Sequence, residues 1–130
     1  LAARHVLHTV GPIWREGQHD EPALLANCYW HSLKLAEEMG LHSVAFPAIS
    51  CGVYGYPLQL AARVAAAETL AWQRSHAEPR HIILVAYNGA TAQAYRQALA
   101  ELGYRVPAEP LLTRPPAMDA SLALQAGSAA

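Results

Sequence analysis

The stretch from residue 43 to residue 75 constrains the fold of this chain more than any other. Residues 43–49 form an apolar run typical of a buried strand, and Pro57 opens a helical pattern that continues to about Ser75. The two are joined by a segment that we call the glycine loop, Ser50-Cys51-Gly52-Val53-Tyr54-Gly55-Tyr56-Pro57. Glycines permit a tight turn and close approach to a ligand, and unpaired N–H groups at a helix start attract anions. The loop therefore predicts either a phosphate site or a tight turn without a ligand.

Strand and helix patterns alternate elsewhere in the chain as well. Residues 4–10 are rich in β-branched and apolar residues and stop at Gly11-Pro12, so we predict a strand followed by a turn. A helix follows, capped by Asp20 and ended by Gly40, with an apolar face formed by Leu24, Leu25, Cys28, Leu35 and Met39. For the helix after the glycine loop, the same spacing predicts an apolar face of Leu60, Val64, Ala67 and Leu70.

A third unit completes the pattern. Residues 81–87 form a continuous apolar run, as expected of a parallel strand buried on both faces, and residues 92–102 are predicted to form a helix capped by Thr91. Three alternations of strand and helix predict an α/β fold with right-handed crossovers. Ligands of such sheets bind at the carboxyl ends of the strands, which is where the glycine loop and Tyr87-Asn88 fall.

The domain organisation is simple. The chain has 130 residues and 53% hydrophobic residues, which suits one domain with a substantial core. Prolines at positions 107, 110, 115 and 116 and an Ala/Ser/Gly-rich ending predict a disordered tail. We therefore divide the chain into a domain at residues 1–106 and a disordered tail at residues 107–130.

Composition excludes several classes of partner. The formal net charge is −1 and only 15% of residues are charged, so there is no basic surface to hold a nucleic acid. A single diphosphate differs, because backbone N–H groups and a helix terminus can hold it without Lys or Arg. No apolar run reaches the roughly 18 residues of a membrane span. The seven histidines lack a metal-binding spacing, and the two cysteines lack a CxxC spacing. We expect no metal, no cofactor, no membrane partner and a reducing, cytoplasmic location.

The glycine loop and the strand before it resemble the second ligand loop of macrodomains, particularly of the MacroD-type subgroup, over the sequence Val44-Ala45-Phe46-Pro47-Ala48-Ile49-Ser50-Cys51-Gly52-Val53-Tyr54-Gly55-Tyr56-Pro57. Residues 5–14 are similar to the strand and turn that precede this loop in the family, and residues 24–36 are similar to the helix between them. The similarity covers about residues 1–102 in the family's order. It implies a three-layer α-β-α fold and a pocket for ADP-ribose whose diphosphate lies in the glycine loop.

The resemblance also implies which residues contact the ligand. These are Ser50, Cys51, Gly52, Val53, Tyr54, Gly55, Tyr87 and Asn88. Tyr87 matches an aromatic residue near the adenine, although a ring that caps the core is the alternative. Asn88 stands where the family often has Asp, and Cys51 stands where it commonly has Thr. No catalytic residue is assigned, because the family's Asn-rich segment and its Gly-rich loop with the Asp precede the matching region. We therefore expect the chain to be the C-terminal portion of a macrodomain that lacks the N-terminal strands.

For the intact protein, the resemblance implies binding of ADP-ribose and hydrolysis of ADP-ribosyl esters, either on acidic protein side chains or in O-acetyl-ADP-ribose. Two alternatives stay open. One is a module that reads ADP-ribose on proteins without hydrolysing it. The other is a hydrolase with Cys51 or Ser50 as its nucleophile, which is disfavoured because the loop lacks a Gly-x-Ser-x-Gly elbow and no base can be assigned. We expect residues 1–130 alone to be inactive, poorly stable and prone to self-association.

Overall fold

The computed structural model describes residues 3–106 and the backbone of residues 121–125. Helices and strands alternate along this part of the chain, as the α/β class predicted from the sequence requires. In chain order the elements are α1 (Glu21–Glu38), β1 (Ser43–Phe46), α2 (Leu58–Ser75), β2 (His81–Val85), α3 (Gly89–Glu101) and β3 (Ser121–Gln125).

The strands form one sheet in the order β1-β2-β3. β1 and β2 are parallel, with Ser43 opposite His81 and Phe46 opposite Leu84, and α2 connects them as the predicted crossover. β3 pairs with β2 in the antiparallel sense. Because β1 and β2 run in the same direction, the glycine loop and residues 86–88 leave the sheet at the same edge.

Helix α2 packs against both α1 and α3 and supplies much of the core. Its buried face consists mainly of small side chains: Ala61, Ala62, Ala65, Ala66, Thr69, Leu70 and Trp72. Of the predicted face only Leu70 is buried, and Leu60 is exposed. The prediction was wrong here because it weighted large apolar residues, whereas small side chains let the neighbouring helices approach closely.

The predicted face of α1 was also only partly right. Leu25 and Cys28 are buried, but Leu24, Leu35 and Met39 are each more than 40% exposed. The buried positions that replace them are Tyr29, Ser32, Leu33 and Ala36. Tyr29 packs on Phe46 of β1, with ring centroids 4.9 Å apart, so α1 contacts the strand that leads into the glycine loop.

Residues 4–10 do not form the strand that the sequence predicts. They have no regular secondary structure, and Val6 and Val10 are 60% and 79% exposed. A strand is stabilised by hydrogen bonds to a neighbouring strand, and no strand of the described residues pairs with this segment. β-propensity alone is therefore insufficient to produce a strand here.

The predicted disordered tail is wrong for five of its residues, because the backbone of Ser121–Gln125 forms β3. β2 would otherwise present an unpaired edge, and β3 satisfies its donors and acceptors. The remainder of that prediction, residues 107–120 and 126–130, lies outside the described residues. The division into a domain at residues 1–106 and a tail stays a prediction.

The start of α3 and the capping of α1 differ from the predictions. Asn88, not Thr91, caps α3, because its Oδ1 accepts the Thr91 N–H at 2.8 Å, and the helix accordingly begins at Gly89. Asp20 precedes α1 with a left-handed φ of 59° and makes no side-chain capping hydrogen bond. The carboxylate at this helix start that does bond backbone N–H groups belongs to Glu21.

Candidate ligand-binding site

Two successive turns shape the chain between β1 and α2. The Cys51 N–H donates to the Ala48 carbonyl at 3.3 Å, and the Gly55 N–H donates to the Gly52 carbonyl at 3.0 Å. Ser50 and Gly55 have left-handed φ values of 66° and 72°. Glycine adopts this conformation freely, whereas serine is strained in it and must be held by other contacts.

Gly52 differs from Gly55, because the backbone at position 52 does not itself require glycine. Its φ is not in the left-handed region, and a Cβ built on it would have no heavy atom within 4 Å. A side chain at Gly52 would therefore be tolerated by the fold but would project into the open space above the loop.

Three consecutive N–H groups of the loop, those of Gly52, Val53 and Tyr54, have no acceptor among the residues that the structure describes. Val53 is fully exposed and Tyr54 is 38% exposed. Backbone N–H groups in folded proteins are nearly always paired, and a run of successive unpaired N–H groups in a turn is suited to an anion. These three groups are the most distinctive polar feature of the loop.

A second segment, residues 10–19, lies along the glycine loop, and we call it the leading segment. The Ser50 hydroxyl, which is buried, donates to the Pro12 carbonyl at 2.8 Å. The Trp14 N–H donates to the Tyr54 carbonyl at 2.9 Å. The leading segment thus holds both ends of the strained turn, and the Ser50 hydroxyl serves this contact in the structure.

The aromatic rings of Trp14 and Tyr56 reinforce the same contact. Their centroids are 4.7 Å apart at an angle of 53°, and Tyr56 is buried. Burial raises the pKa of the Tyr56 phenol, and the neighbouring Glu21 carboxylate and Cys51 raise it further. The phenol is therefore neutral at physiological pH and acts as a packing group.

Glu21 fixes the far end of the leading segment. It is 1% exposed, and its carboxylate accepts the N–H groups of Arg15, Gly17 and His19 at 2.8, 2.8 and 2.5 Å. Burial acts to raise its pKa, but the backbone N–H groups outweigh burial and lower the pKa to about 2. Sequence reasoning missed Glu21; the available signal was an acidic residue directly before Pro22, after a polar turn.

Cys51 does not have the surroundings of an activated nucleophile. The thiol is partly buried, its Sγ lies 3.5 Å from the Ile49 carbonyl, and burial raises its pKa. A nucleophilic cysteine instead has a lowered pKa beside a base or a positive charge. The structure thus disfavours Cys51 as a nucleophile, as the sequence did.

Tyr87 and Asn88 follow β2 at the same edge of the sheet as the glycine loop. Tyr87 is 62% exposed, so the alternative in which its ring caps the core is wrong. Asn88 is exposed, but its Oδ1 is occupied by the cap of α3. Topology thus brings both predicted segments to one edge, with the Tyr87 ring free to contact a ligand.

Other features of the described residues indicate a ligand site less clearly than the end of the sheet where the glycine loop and Tyr87 lie. A small cavity between α2 and α3 is lined by Gln59, Arg63, Ala94, Gln97, Ala98 and Glu101, none of which belongs to the glycine loop. Within the described part of the chain, no three His, Cys, Asp or Glu side chains gather as a metal site would require. None of the described helices has both the length and the apolar composition needed to cross a membrane.

The fold and the loop together define a class of protein. It is an α/β domain that presents backbone donors, without acceptors among the described residues and suited to a phosphate, between a parallel strand and the following helix. Comparison with known families identifies that class. The Macro domain family model matches residues 1–65, half of the chain. The chain belongs to the macrodomain family, which confirms the resemblance and the macrodomain-like α/β fold inferred from the sequence.

Individual relatives agree with this assignment. A macro domain-containing protein of Xanthomonas axonopodis pv. citri is 71% identical over 100 residues, covering 77% of this chain and 56% of the relative. An O-acetyl-ADP-ribose deacetylase of Escherichia fergusonii is 46% identical over 103 residues, covering 79% of this chain and 58% of that protein. The Trypanosoma brucei macrodomain, solved in complex with ADP-ribose, has a TM-score of 0.65 at 35% identity, over 75% of this chain and 40% of that one. The chain thus spans little more than half the length of the Xanthomonas and Escherichia relatives and less than half of the Trypanosoma brucei chain.

Proposed function

We propose that the protein to which this chain belongs binds ADP-ribose and that the glycine loop holds the diphosphate. The observation that supports this most directly is the run of three N–H groups, from Gly52 to Tyr54, without an acceptor among the described residues. They occur at the strand-to-helix junction of a macrodomain. A diphosphate placed there would satisfy all three groups at once.

The start of α2 supports the same placement. Its N-cap is Pro57, whose side chain makes no capping hydrogen bond. The first N–H groups of the helix therefore keep their partial positive charge, which favours a nearby anion. This explains how a chain with a formal net charge of −1 can hold a diphosphate without a cluster of Lys or Arg.

The other predicted ligand residues have distinct roles in this proposal. Ser50 and Cys51 shape the turn through their hydrogen bonds to the Pro12 and Ile49 carbonyls, and Gly55 adopts a left-handed φ in it. The exposed Tyr87 ring contacts the adenine end of the ligand, and Asn88 sets the start of α3 beside it. The assignment of Tyr87 rests on the resemblance to macrodomains, and the exposure of its ring at this end of the sheet supports it.

We further propose that the intact protein hydrolyses ADP-ribosyl esters, with O-acetyl-ADP-ribose or mono-ADP-ribosylated acidic side chains as substrates. Relatives such as the Escherichia fergusonii protein are named O-acetyl-ADP-ribose deacetylase. The described residues would contribute by fixing the diphosphate, so that the ester lies in one position for attack by water. A module that reads ADP-ribose without hydrolysis would use the same loop, and turnover separates the two.

The proposed partners are therefore ADP-ribose, ADP-ribosylated proteins or O-acetyl-ADP-ribose. The proposed location is a reducing compartment such as the cytoplasm. Its support is that both cysteines are unpaired thiols, with the buried Cys28 donating to the Val10 carbonyl at 3.3 Å.

Calorimetric titration of ADP-ribose into the intact protein and its Gly52→Ala and Gly52→Val variants tests the binding proposal. Both variants are expected to unfold at the wild-type temperature, since a Cβ at Gly52 meets no atom within 4 Å. Affinity is expected to fall slightly with Ala and by more than about tenfold with Val, whose branches occupy the phosphate space. If Gly52→Val bound ADP-ribose with wild-type affinity, the glycine loop would not be part of the binding site.

Release of acetate from O-acetyl-ADP-ribose by the intact protein tests the hydrolysis proposal. Tight binding without acetate release, and without release of ADP-ribose from a modified protein, would identify a reader module instead.

A further inference from the structure

Glu21 is a buried carboxylate whose role the proposed binding site does not explain. It is 1% exposed, and no Lys or Arg of the described residues forms a salt bridge with it. Its partners are the N–H groups of Arg15, Gly17 and His19. A buried charge is costly unless it is hydrogen-bonded, and these three N–H groups offset the cost of burying the Glu21 carboxylate.

Glu21 organises a strained turn. Glu16, Gly17 and Asp20 have left-handed φ values of 60°, 76° and 59°. Two of these residues are not glycine, and such conformations persist only where surrounding contacts enforce them. The Glu21 carboxylate supplies those contacts from inside the turn, in the manner of an anion held by a ring of N–H groups.

The turn around Glu21 also contacts Trp14. A Cβ on Gly17 would lie 3.1 Å from Cη2 of the Trp14 indole, so the Gly17 backbone packs directly on the ring. Trp14 also contacts the glycine loop, through the ring of Tyr56 and through the 2.9 Å hydrogen bond from its backbone N–H to the Tyr54 carbonyl. A continuous set of contacts therefore joins Glu21 to the residue that carries the last of the three unpaired N–H groups.

We propose that Glu21 is a positioning residue for the glycine loop and that it acts through Trp14. The ligand named in the test rests on the proposed function, whereas the mechanical coupling does not. In its absence the leading segment would lose its fixed geometry, the Trp14 contact with Tyr54 would loosen, and the phosphate-binding N–H groups would no longer be preorganised.

A simpler role must be separated from this one. Glu21 is the first residue of α1, and an acidic residue there stabilises a helix through the helix dipole. With that role, a substitution of Glu21 would change the stability of α1 alone. With a positioning role, it would also loosen the glycine loop, which follows in the chain about 30 residues later.

The test compares Glu21→Gln with Asp20→Asn in the intact protein. Asn tolerates the left-handed backbone of residue 20, and Asp20→Asn removes the same charge one residue away, from an exposed side chain without a capping bond. Gln at residue 21 would place an amide donor where the backbone also donates. Backbone hydrogen exchange of Trp14 and Tyr56, and calorimetric affinity for ADP-ribose, are measured where each variant is folded.

Positioning predicts faster exchange at both amides in Glu21→Gln and about tenfold weaker binding, with Asp20→Asn unchanged. It also predicts that Trp14→Phe and Glu21→Gln weaken binding non-additively, since both act through one contact. Unchanged exchange at Tyr56, or additive effects, would overturn the proposal. If wild type fails to bind ADP-ribose, the proposed function fails, but the exchange measurement still decides the positioning role.

Should Glu21→Gln not fold, hydrogen exchange in the wild-type protein decides the matter. The Gly17 and Trp14 amides are then expected to show the same protection, because a single opening exposes both. Protection of Trp14 that is independent of Gly17 would overturn the proposal.

Discussion

Gly11 lies so close to Ser50 that a Cβ on Gly11 would be 2.2 Å from the Ser50 Oγ and 2.5 Å from the Ile49 Cγ2. Glycine at this position therefore permits the leading segment to contact the strained turn of the glycine loop. The same approach allows the Ser50 hydroxyl to donate to the Pro12 carbonyl at 2.8 Å.

We expect Gly11→Ala to destabilise the protein by about 1–3 kcal/mol, the range for overpacking a close contact, and to weaken ADP-ribose binding. Urea unfolding and calorimetry measure the two effects. Gly52→Ala is the matched control, because it adds the same methyl group where no atom lies within 4 Å, and its stability should be unchanged. Equal stability of the two variants would show that the segments do not meet as described.

Cys51→Ala is expected to retain most of the hydrolytic activity of the intact protein. Burial raises the pKa of this thiol, so it is protonated at neutral pH. Its Sγ contacts the Ile49 carbonyl. Turnover of O-acetyl-ADP-ribose measures activity, and alkylation by iodoacetamide should be slow. Loss of turnover with intact ADP-ribose binding would instead identify Cys51 as the nucleophile.

Glu21 makes the stability of the protein depend on pH in a defined direction. Its pKa is about 2 in the folded protein, against an ordinary value of 4.5. A lowered folded-state pKa means that the contribution of Glu21 is fully present above pH 4.5 and is lost as pH falls from 4.5 toward 2. The wild-type protein should therefore exceed Glu21→Gln in stability at pH 7, and the difference should shrink across this window.

Urea unfolding of both proteins between pH 7 and pH 3 measures that difference. Glu78, whose pKa is lowered mainly by a hydrogen bond with His42, titrates in the same direction, but it is present in both proteins and cancels. A difference that stays constant below pH 4.5 would contradict the assignment of the lowered pKa to Glu21.

The sequence predicted the parts of the fold that local patterns control. The crossover from β1 through α2 to β2 could be predicted because an apolar run, two glycines and a proline-initiated helix follow one another. The convergence of the glycine loop and Tyr87 at one sheet edge then followed from topology. The N–H groups of Gly52, Val53 and Tyr54 were expected as donors for another reason, because two glycines join the apolar strand to the following helix.

Features that depend on contacts distant in sequence could not be predicted. The left-handed φ of Ser50 is held by Pro12, 38 residues earlier, and nothing in the local sequence requires it. The strand predicted at residues 4–10 needed a pairing partner rather than propensity, and the alanine face of α2 depends on how closely its neighbours approach. Glu21 looked like an ordinary acidic residue at a helix start, and its burial became visible only with the turn folded around it.

Residues 1–130, prepared as such, are expected to self-associate. Val6 and Val10 are 60% and 79% exposed, and β1 is the edge strand of the sheet with no second partner among the described residues. Exposed apolar side chains and an unpaired edge strand each favour contact with another copy of the chain. Sedimentation velocity over a concentration series should show dimers or larger species. A double substitution of Val6→Lys and Val10→Lys should shift the distribution toward monomer, whereas Val53→Lys, at the fully exposed valine of the glycine loop, should not. A monomeric chain that unfolds cooperatively at all concentrations would refute the prediction, and would mean that this edge and these valines are compatible with a stable single copy.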